Sequence, residues 1–339
     1  MGFFRKKGIV ISPKLYFIDA LSAMALGLFA SLLIGTIFGT ISDYVTYKPL
    51  QELLKQMQSY CVAAQGPAMA MAIGHTLGAK GLLLYSLCAV GAAGNTLGGP
   101  LGTYVAVLVA TELGKLVYKS TKIDIIVTPT FTIAIGVAMA LFSGPAISSI
   151  MASLGKLIMT FTEMQPILMG ALVSMVVGIC LTLPISSAAI CASLGLVGIA
   201  GGAATAGCCA QMVGFAVMSF GANRWAGLVA QGLGTSMLQM GNIVRKPLIW
   251  IPPILTSAIT GSLAAAVFKM KNYVAIASGM GTCGIVGPIG VLSTQNITTE
   301  DFVVMALICF VLPAILTYII ALPFKKSGLI KNSDLKLDL

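Results

Sequence analysis

The chain of 339 residues is 58% apolar and only 9% charged, and its mean hydropathy is +0.99. An ordinary soluble domain carries about a quarter charged residues, so one soluble core could not bury this much apolar surface. Apolar residues run from Tyr16 to Phe324 with only short charged gaps. The runs are about 20 residues long, which predicts membrane-spanning helices, because an outer-membrane barrel would show alternating stretches of about ten residues.

The net charge of +10 does not indicate a nucleic-acid partner, because lysine and arginine gather beside the apolar runs, as in cytoplasmic loops. Basic residues stand at both ends of the chain, namely Arg5, Lys6, Lys7 and Lys14 before the first apolar run and Lys325, Lys326, Lys331 and Lys336 after the last. The first run is longer than the apolar part of a signal peptide. We therefore expect residues 1–15 and 326–339 to be cytoplasmic.

Termini on one side require an even number of crossings, and eight full spans plus two interrupted segments meet this condition. The spans are predicted at about 16–41, 59–77, 129–155, 165–185, 188–220, 247–268, 273–293 and 301–323. A charged amphipathic connector, 42–58, joins the first two spans. The predicted fold is an all-α polytopic membrane protein with one transmembrane domain, 16–325.

Two stretches are interrupted by glycines and polar residues. Residues 81–118 are too long for one span and carry a glycine cluster from Gly91 to Gly102, and residues 225–242 form the second stretch. Glycine lets the chain leave the helix, and a broken membrane helix must bury its freed backbone groups against protein or a cavity. We predict re-entrant hairpins or interrupted helices at both places.

A weak internal repeat suggests two halves, about 16–160 and 161–325. The pattern Gly27, Ser31, Gly35 returns as Gly170, Ser174, Gly178, and Gly144-Pro145 returns as Gly287-Pro288, all at an offset of 143 residues. Such duplication is common in transporters, whose substrate sites lie at the repeat interface. Small-residue patterns also arise by chance in a glycine-rich membrane protein, so both interpretations stay open.

The first polar cluster with a candidate role is Asn95 and Thr96, inside the segment from Gly94 to Pro100. Amide and hydroxyl groups offer donors and acceptors to a neutral polyhydroxyl ligand. The alternative is a packing kink in which Asn95 caps the broken helix.

The second cluster comprises Gln231, Thr235, Gln239 and Asn242, spaced three or four residues apart. That spacing predicts one polar stripe along a helix, facing a cavity or a neighbouring helix. The alternative role is that of a hydrogen-bonding contact between helices.

His75 is the only histidine, and the pattern predicts Gln65 on the same hydrophilic face. Glu112 and Glu163 are the candidate acids, for which ordinary interfacial pairing is the alternative. The eight cysteines fall in apolar stretches without a metal-binding spacing, and no nucleotide-binding or hydrolase motif occurs. We expect no catalytic residue, metal or cofactor.

The chain resembles the second EIIC-type family of the bacterial phosphotransferase system in three features: the break at Gly94–Pro100, the polar segment 231–242 and the basic ends. That family includes perfringolysin-regulator-type membrane proteins. The resemblance covers about residues 10–325. It implies a bacterial cell-membrane protein, usually a homodimer, that binds a sugar and presents it to a phosphorylated EIIB partner. The family's His-Glu pair would map to His75 and to either Glu112 or Glu163. No EIIB or EIIA domain is recognised in this chain, so such partners would be separate cytoplasmic proteins.

The leading hypothesis is a transporter subunit for a small polar solute, above all a carbohydrate. The candidate substrate-binding residues are Gln65, His75, Asn95, Thr96, Glu112, Gln231, Thr235, Gln239 and Asn242. A ligand-sensing membrane regulator is the competing class, and the 18 methionines suggest a third, a carrier of a hydrophobic or lipid solute. We also expect a homodimer surrounded by membrane lipid, with both small-residue faces buried inside each protomer.

Overall fold

The computed structural model describes residues 7–9, 12–293 and 298–337, except the side chains of Leu33 and Tyr44. The basic residues Arg5 and Lys6 lie outside the described residues. Across the described ranges every named element is helical. This confirms the predicted all-α class of a polytopic membrane protein.

The helices follow one another along the chain with short connections. They are α1 (Leu15–Asp43), α2 (Lys48–Ala63), α3 (Gln65–Thr76), α4 (Gly81–Val117), α5 (Asp124–Thr162), α6 (Pro166–Thr182), α7 (Ser187–Ser193), α8 (Gly198–Met218), α9 (Phe220–Val229), α10 (Met240–Arg245), α11 (Pro247–Val267), α12 (Ala275–Ser278), α13 (Cys283–Leu292) and α14 (Thr299–Lys326). Short turns of other helix types lie at Ala230–Gly234, Ser236–Gln239 and Asn332–Leu335. Six of the described helices are long and apolar enough to cross a membrane: α1, α4, α5, α8, α11 and α14.

Four of the eight predicted spans differ from the observed helices, and one of them, 188–220, is divided into α7 and α8 by a turn with positive φ at Gly195 and Gly198. The region 59–77 holds the end of α2 and the 12-residue α3, which ends before Gly78 at a φ of +83°. The region 273–293 is divided into α12 and α13 by a turn with positive φ at Gly281, and Gly284 and Ile285 at the start of α13 also have positive φ. The predicted span at 165–185 is the 17-residue apolar helix α6. Turn-forming glycines therefore shorten segments whose apolar composition alone indicated full spans.

The chain divides into two compact units, Met1–Ile150 and Met151–Leu339, with the boundary inside α5. This division alone does not test the repeat, which stays a prediction.

In the first unit, α4 is a helical hairpin rather than one straight rod. The chain leaves helical geometry at Gly98 and at Gly99, whose φ of 59° and ψ of −151° are essentially restricted to glycine. A Cβ placed on Gly94 would lie 2.7 Å from the Cα of Thr103. In a continuous helix these two residues would be about 13 Å apart, so the two arms run back along each other. The predicted break in 81–118 is confirmed.

The second unit is built around α8, which packs against α6, α11 and α14. Nearly all of α8 is buried, and small residues let its backbone approach its neighbours closely. A Cβ on Gly207 would lie 2.0 Å from the carbonyl oxygen of Ser174, and one on Gly178 would lie 2.8 Å from that of Gly207. The bundle therefore depends on backbone-to-backbone contact.

Both small-residue faces lie within their own units. Gly27 on α1 meets the backbone of Ala68 and Met69 on α3. Ser174 on α6 is fully buried and donates a hydrogen bond of 2.6 Å to the carbonyl oxygen of Ser257 on α11. These residues hold neighbouring helices together inside the chain.

Replacing Gly207 by alanine should destabilise the second unit, because the new methyl group would overlap the Ser174 carbonyl. We expect a loss of about 1–3 kcal/mol, the usual range for overpacking a core, seen as a lower midpoint of thermal unfolding in detergent. Gly232→Ala is the matched control, since its Cβ would find its nearest neighbour at an ordinary 3.5 Å. Equal midpoints for the two variants would contradict the close α6–α8 contact.

Candidate functional site

The tip of the α4 hairpin brings together three of the predicted polar residues. Asn95 and Thr96 lie just before the break, and the first turn of α3, which carries Gln65, packs against the same arm. A Cβ on Gly66 would lie 2.9 Å from the Cβ of Asn95. Gln65 and Asn95 are half-buried, whereas Thr96 is exposed and donates to the Ala92 carbonyl at 2.9 Å. The tip thus presents uncharged donors and acceptors beside a broken helix.

His75 and Glu112 lie away from that tip. His75 is exposed at the other end of α3, about 15 Å along the helix from Gln65. Glu112 pairs with the buried Lys115, Oε1 to Nζ at 2.9 Å, its Oε2 is buried, and the Tyr16 side chain interacts with the same carboxylate. The pairing with Lys115 is therefore present, whereas a position at the membrane interface stays a prediction. Glu163 is exposed in the turn after α5.

In the second unit, three of the four predicted stripe residues form a chain of amide hydrogen bonds. Gln239 Nε2 donates to Gln231 Oε1 at 2.9 Å, and Asn242 Nδ2 donates to Gln239 Oε1 at 2.8 Å. Gln231 Nε2 continues the chain to Ser219 Oγ at 2.8 Å. We call Gln231, Gln239 and Asn242 the amide row.

Thr235 does not belong to this row. The predicted single helix is interrupted, because Thr235 is extended and its hydroxyl accepts a hydrogen bond from the Met237 N–H at 3.1 Å. It caps the short turn Ser236–Gln239, which differs from the predicted place on a continuous helical stripe.

The amide row binds the C-terminal segment of the same chain. Gln239 Nε2 donates to the Leu335 carbonyl at 3.0 Å, and Asn242 Nδ2 donates to the Lys336 carbonyl at 2.9 Å. Next to them, Lys246 Nζ contacts Asp334 Oδ2 at 2.6 Å. Two side chains predicted to bind a solute, Gln239 and Asn242, are thus occupied by the backbone carbonyls of Leu335 and Lys336.

Sequence reasoning missed a second, deeper polar cluster at Gln211, a fully buried residue of α8. Gln211 Oε1 accepts hydrogen bonds from Trp250 Nε1 at 2.8 Å and from Thr182 Oγ1 at 3.3 Å. Its Nε2 donates to Ser257 Oγ at 3.2 Å, and Thr182 also contacts Ser236 Oγ at 2.8 Å. Gln211 is the only amide side chain in α8, which is the signal that could have revealed it.

The two broken segments of the second unit meet close to this cluster. The hydroxyl of Thr282, in the turn between α12 and α13, donates to the Gly232 carbonyl and lies 3.6 Å from Met212 Sδ. A backbone carbonyl freed by the break near Gly232 is therefore hydrogen-bonded by a side chain from the break near Thr282. Among the described residues, no group of three potential metal ligands comes together.

A family model described as phosphotransferase system, EIIC matches residues 18–337. The chain belongs to this EIIC family. It is accordingly a multi-pass membrane subunit of the transporter type, in a family that works with cytoplasmic EIIB and EIIA partners. No curated protein and no solved structure matches it.

For this EIIC chain, the role of each predicted site residue stays a prediction. The family match favours the transporter hypothesis over the regulator and lipid-carrier alternatives. The structure narrows the candidates, since Gln65, Asn95 and Thr96 share one region, whereas the amide row is occupied by the chain's own C-terminal segment.

Gln211→Leu should destabilise the EIIC chain, because it leaves the half-buried Trp250 Nε1–H without its acceptor and removes the amide's bonds to Thr182 and Ser257. An unpaired buried polar group costs about 1–3 kcal/mol, so a clear drop in the unfolding midpoint is expected. With Trp225→Phe as background, Trp250 is the only tryptophan, and its emission should shift to shorter wavelength when the hydrogen bond is lost. An unchanged spectrum and midpoint would contradict the network.

The pairing of Lys246 with Asp334 should depend on pH. The hydrogen bond from Lys246 and a second one from the Lys331 N–H hold the pKa of Asp334 below its usual value of 3.8. Because the folded pKa is the lower one, the pair's contribution is complete above pH 3.8 and is lost as the pH falls through the folded value. The difference in stability between the native protein and Asp334→Asn should therefore shrink on acidification below that pH. A constant difference would argue against the ion pair.

Proposed function

We propose that this EIIC chain binds a small neutral polar solute, a carbohydrate, and presents it to a separate phosphorylated EIIB-type protein in the cytoplasm. The observation that carries the proposal is the α4 hairpin, whose tip combines a glycine break with the uncharged side chains of Gln65 and Asn95. Amides and hydroxyls match the alternating donors and acceptors of a sugar. A charged substrate would call for a charged partner at the tip.

The hairpin supports transport because it is a broken element inside a membrane domain. Transporters commonly place their sites at discontinuous helices, where freed backbone groups add to the side-chain donors. The tip packs against α5 through few atoms: Gly144 lies close to the Leu97 carbonyl, and Ile147 lies close to Gly98. A modest movement of α5 would change access to Asn95.

Glu112 provides a second contact for this proposal. Its buried Oε2 can accept a hydrogen bond from a solute hydroxyl, in competition with the nearby Tyr16 side chain, once the solute has moved along the hairpin. Since the Lys115 ammonium group neutralises the carboxylate through Oε1, the buried charge does not require the solute to be a cation.

Membrane orientation and assembly complete the proposal. Lysines at both ends favour cytoplasmic termini by the positive-inside rule. A two-fold homodimer is proposed because closed pairs are the commonest oligomers. Its interface would use surfaces other than the Gly27 and Ser174 faces, which are buried inside the units.

The test is a screen of purified protein against monosaccharides and disaccharides by thermal shift, with amino acids as the contrasting class. A sugar that stabilises the protein should also exchange across proteoliposomes in a counterflow assay. Asn95→Ala should weaken its binding about tenfold, the cost of one well-placed hydrogen bond.

Thr96→Ala and Thr160→Ala form the matched pair. Both hydroxyls are exposed and bond the carbonyl four residues earlier, at 2.9 Å and 3.0 Å, but only Thr96 lies at the hairpin tip. Weaker binding in Thr96→Ala alone supports the site. Native affinity in Asn95→Ala, or a response to amino acids only, would contradict the proposal.

A further inference from the structure

The C-terminal segment, residues 330–337, is held mainly through its backbone. Asn223 makes two hydrogen bonds to this backbone: its Nδ2 donates to the Leu335 carbonyl and its Oδ1 accepts from the Leu337 N–H, both at 2.8 Å. Gln239 and Asn242 add the two amide contacts described above. Side-chain amides that bond successive backbone groups recognise an extended peptide, in the way that an added strand is recognised at a sheet edge.

Two side chains and one charge fix the register of this peptide. Leu335 is fully buried and Ile330 is 1% exposed, and both pack into a cluster with Phe215, Ile243 and Ile249. Asp334 reaches Lys246 at 2.6 Å. The intervening residues 331–333 are exposed, so the groove selects an acidic residue followed by leucine.

The attachment is releasable because it is local and incompletely packed. Residues 327–329 between α14 and the segment are exposed, and Gly328 has a φ of +73° with open space around it. A cavity of about 380 Å³ lies beside the segment, lined by residues that include Phe220, Tyr318, Lys325 and Asn332. The segment can therefore swing away at one turn without disturbing the core of α14.

We propose that residues 330–337 are an autoinhibitory latch, an intramolecular ligand in a peptide-binding groove formed by Asn223, Gln239, Asn242 and Lys246. When the latch opens, three amide groups and one ammonium group become free to bind oxygen atoms of another molecule. This last consequence rests on the proposed function, in which an incoming EIIB-type protein competes with the latch. The latch itself does not.

Hydrogen exchange followed by mass spectrometry tests the latch in the full-length protein in detergent. The native segments 331–337 and 239–246 should exchange slowly. Leu335→Ala should make both exchange about tenfold faster, because it removes most of a buried leucine side chain. Lys336→Ala is the matched control, since its carbonyl is bonded like that of Leu335 but its side chain is exposed.

Two further measurements cover the case in which Leu335→Ala misfolds. In the native protein, raising salt from about 0.05 M to about 1 M should speed exchange of 331–337, because the partly exposed Lys246–Asp334 ion pair is screened, and should leave α8 unchanged. A synthetic peptide of residues 329–337 should restore slow exchange of 239–246 in Leu335→Ala, whereas the same peptide with alanine for leucine at 335 should not.

The latch is overturned if native 331–337 exchanges at the rate of an unstructured peptide, or if the added peptide protects nothing. Both readouts work without any solute. A failed sugar screen with a protected segment would therefore contradict only the proposed function, and a freely exchanging segment with sugar binding intact would contradict only the latch.

Discussion

Close backbone contact between α6, α8 and α11 is the constraint on which the second unit depends. In lipid, helices gain no hydrophobic energy by meeting, so they associate where small residues allow many short contacts. Gly207 against Ser174 and Gly170 against Gly261 are such places. Where backbones come this close there is no room for water, and each polar side chain at the interface must find its partner in the protein. Ser174 and Ser257 do so through carbonyl groups of the facing helix or their own.

The same requirement explains how broken helices are tolerated. A break frees N–H and C=O groups that lipid cannot satisfy. In the first unit the Thr103 hydroxyl donates to the Gly99 carbonyl at the break, at 3.1 Å, and because the α4 hairpin folds back it also reaches the Gly91 carbonyl of the other arm at 3.5 Å. In the second unit Thr282 bonds the carbonyl of Gly232, which belongs to the other broken segment. Polar residues at breaks therefore serve the fold before they serve any ligand, and a role in binding has to be shown separately.

Local features could be predicted from the sequence, and contacts distant in sequence could not. The break at Gly98–Gly99 follows from a glycine cluster, because positive φ is a property of single residues. The stripe 231–242 was placed on one helix, since spacing carries no sign that Thr235 turns its hydroxyl to the Met237 N–H. Gln211 was missed among small apolar neighbours. The hydrogen bond from Gln239 to Leu335 joins residues that are 96 positions apart in the sequence. The basic residues of the tail predicted only that it lies on the cytoplasmic side.

The two polar clusters of the second unit, one around Gln211 and one in the groove around Asn223, differ in whether water can replace a hydrogen-bond partner that leaves. Gln211 is fully buried, so losing Trp250 or Ser257 would leave bare polar groups in a dry interior, at a cost that keeps the cluster closed. Gln239 in the groove is just as buried, but the segment that covers it borders the exposed residues 331–333, so water or a hydroxyl can replace the segment's carbonyls once it leaves. A rearrangement costs little free energy only where another group can replace the hydrogen-bond partner that leaves. We therefore expect movement in this unit at the groove, while the Gln211 cluster stays in place.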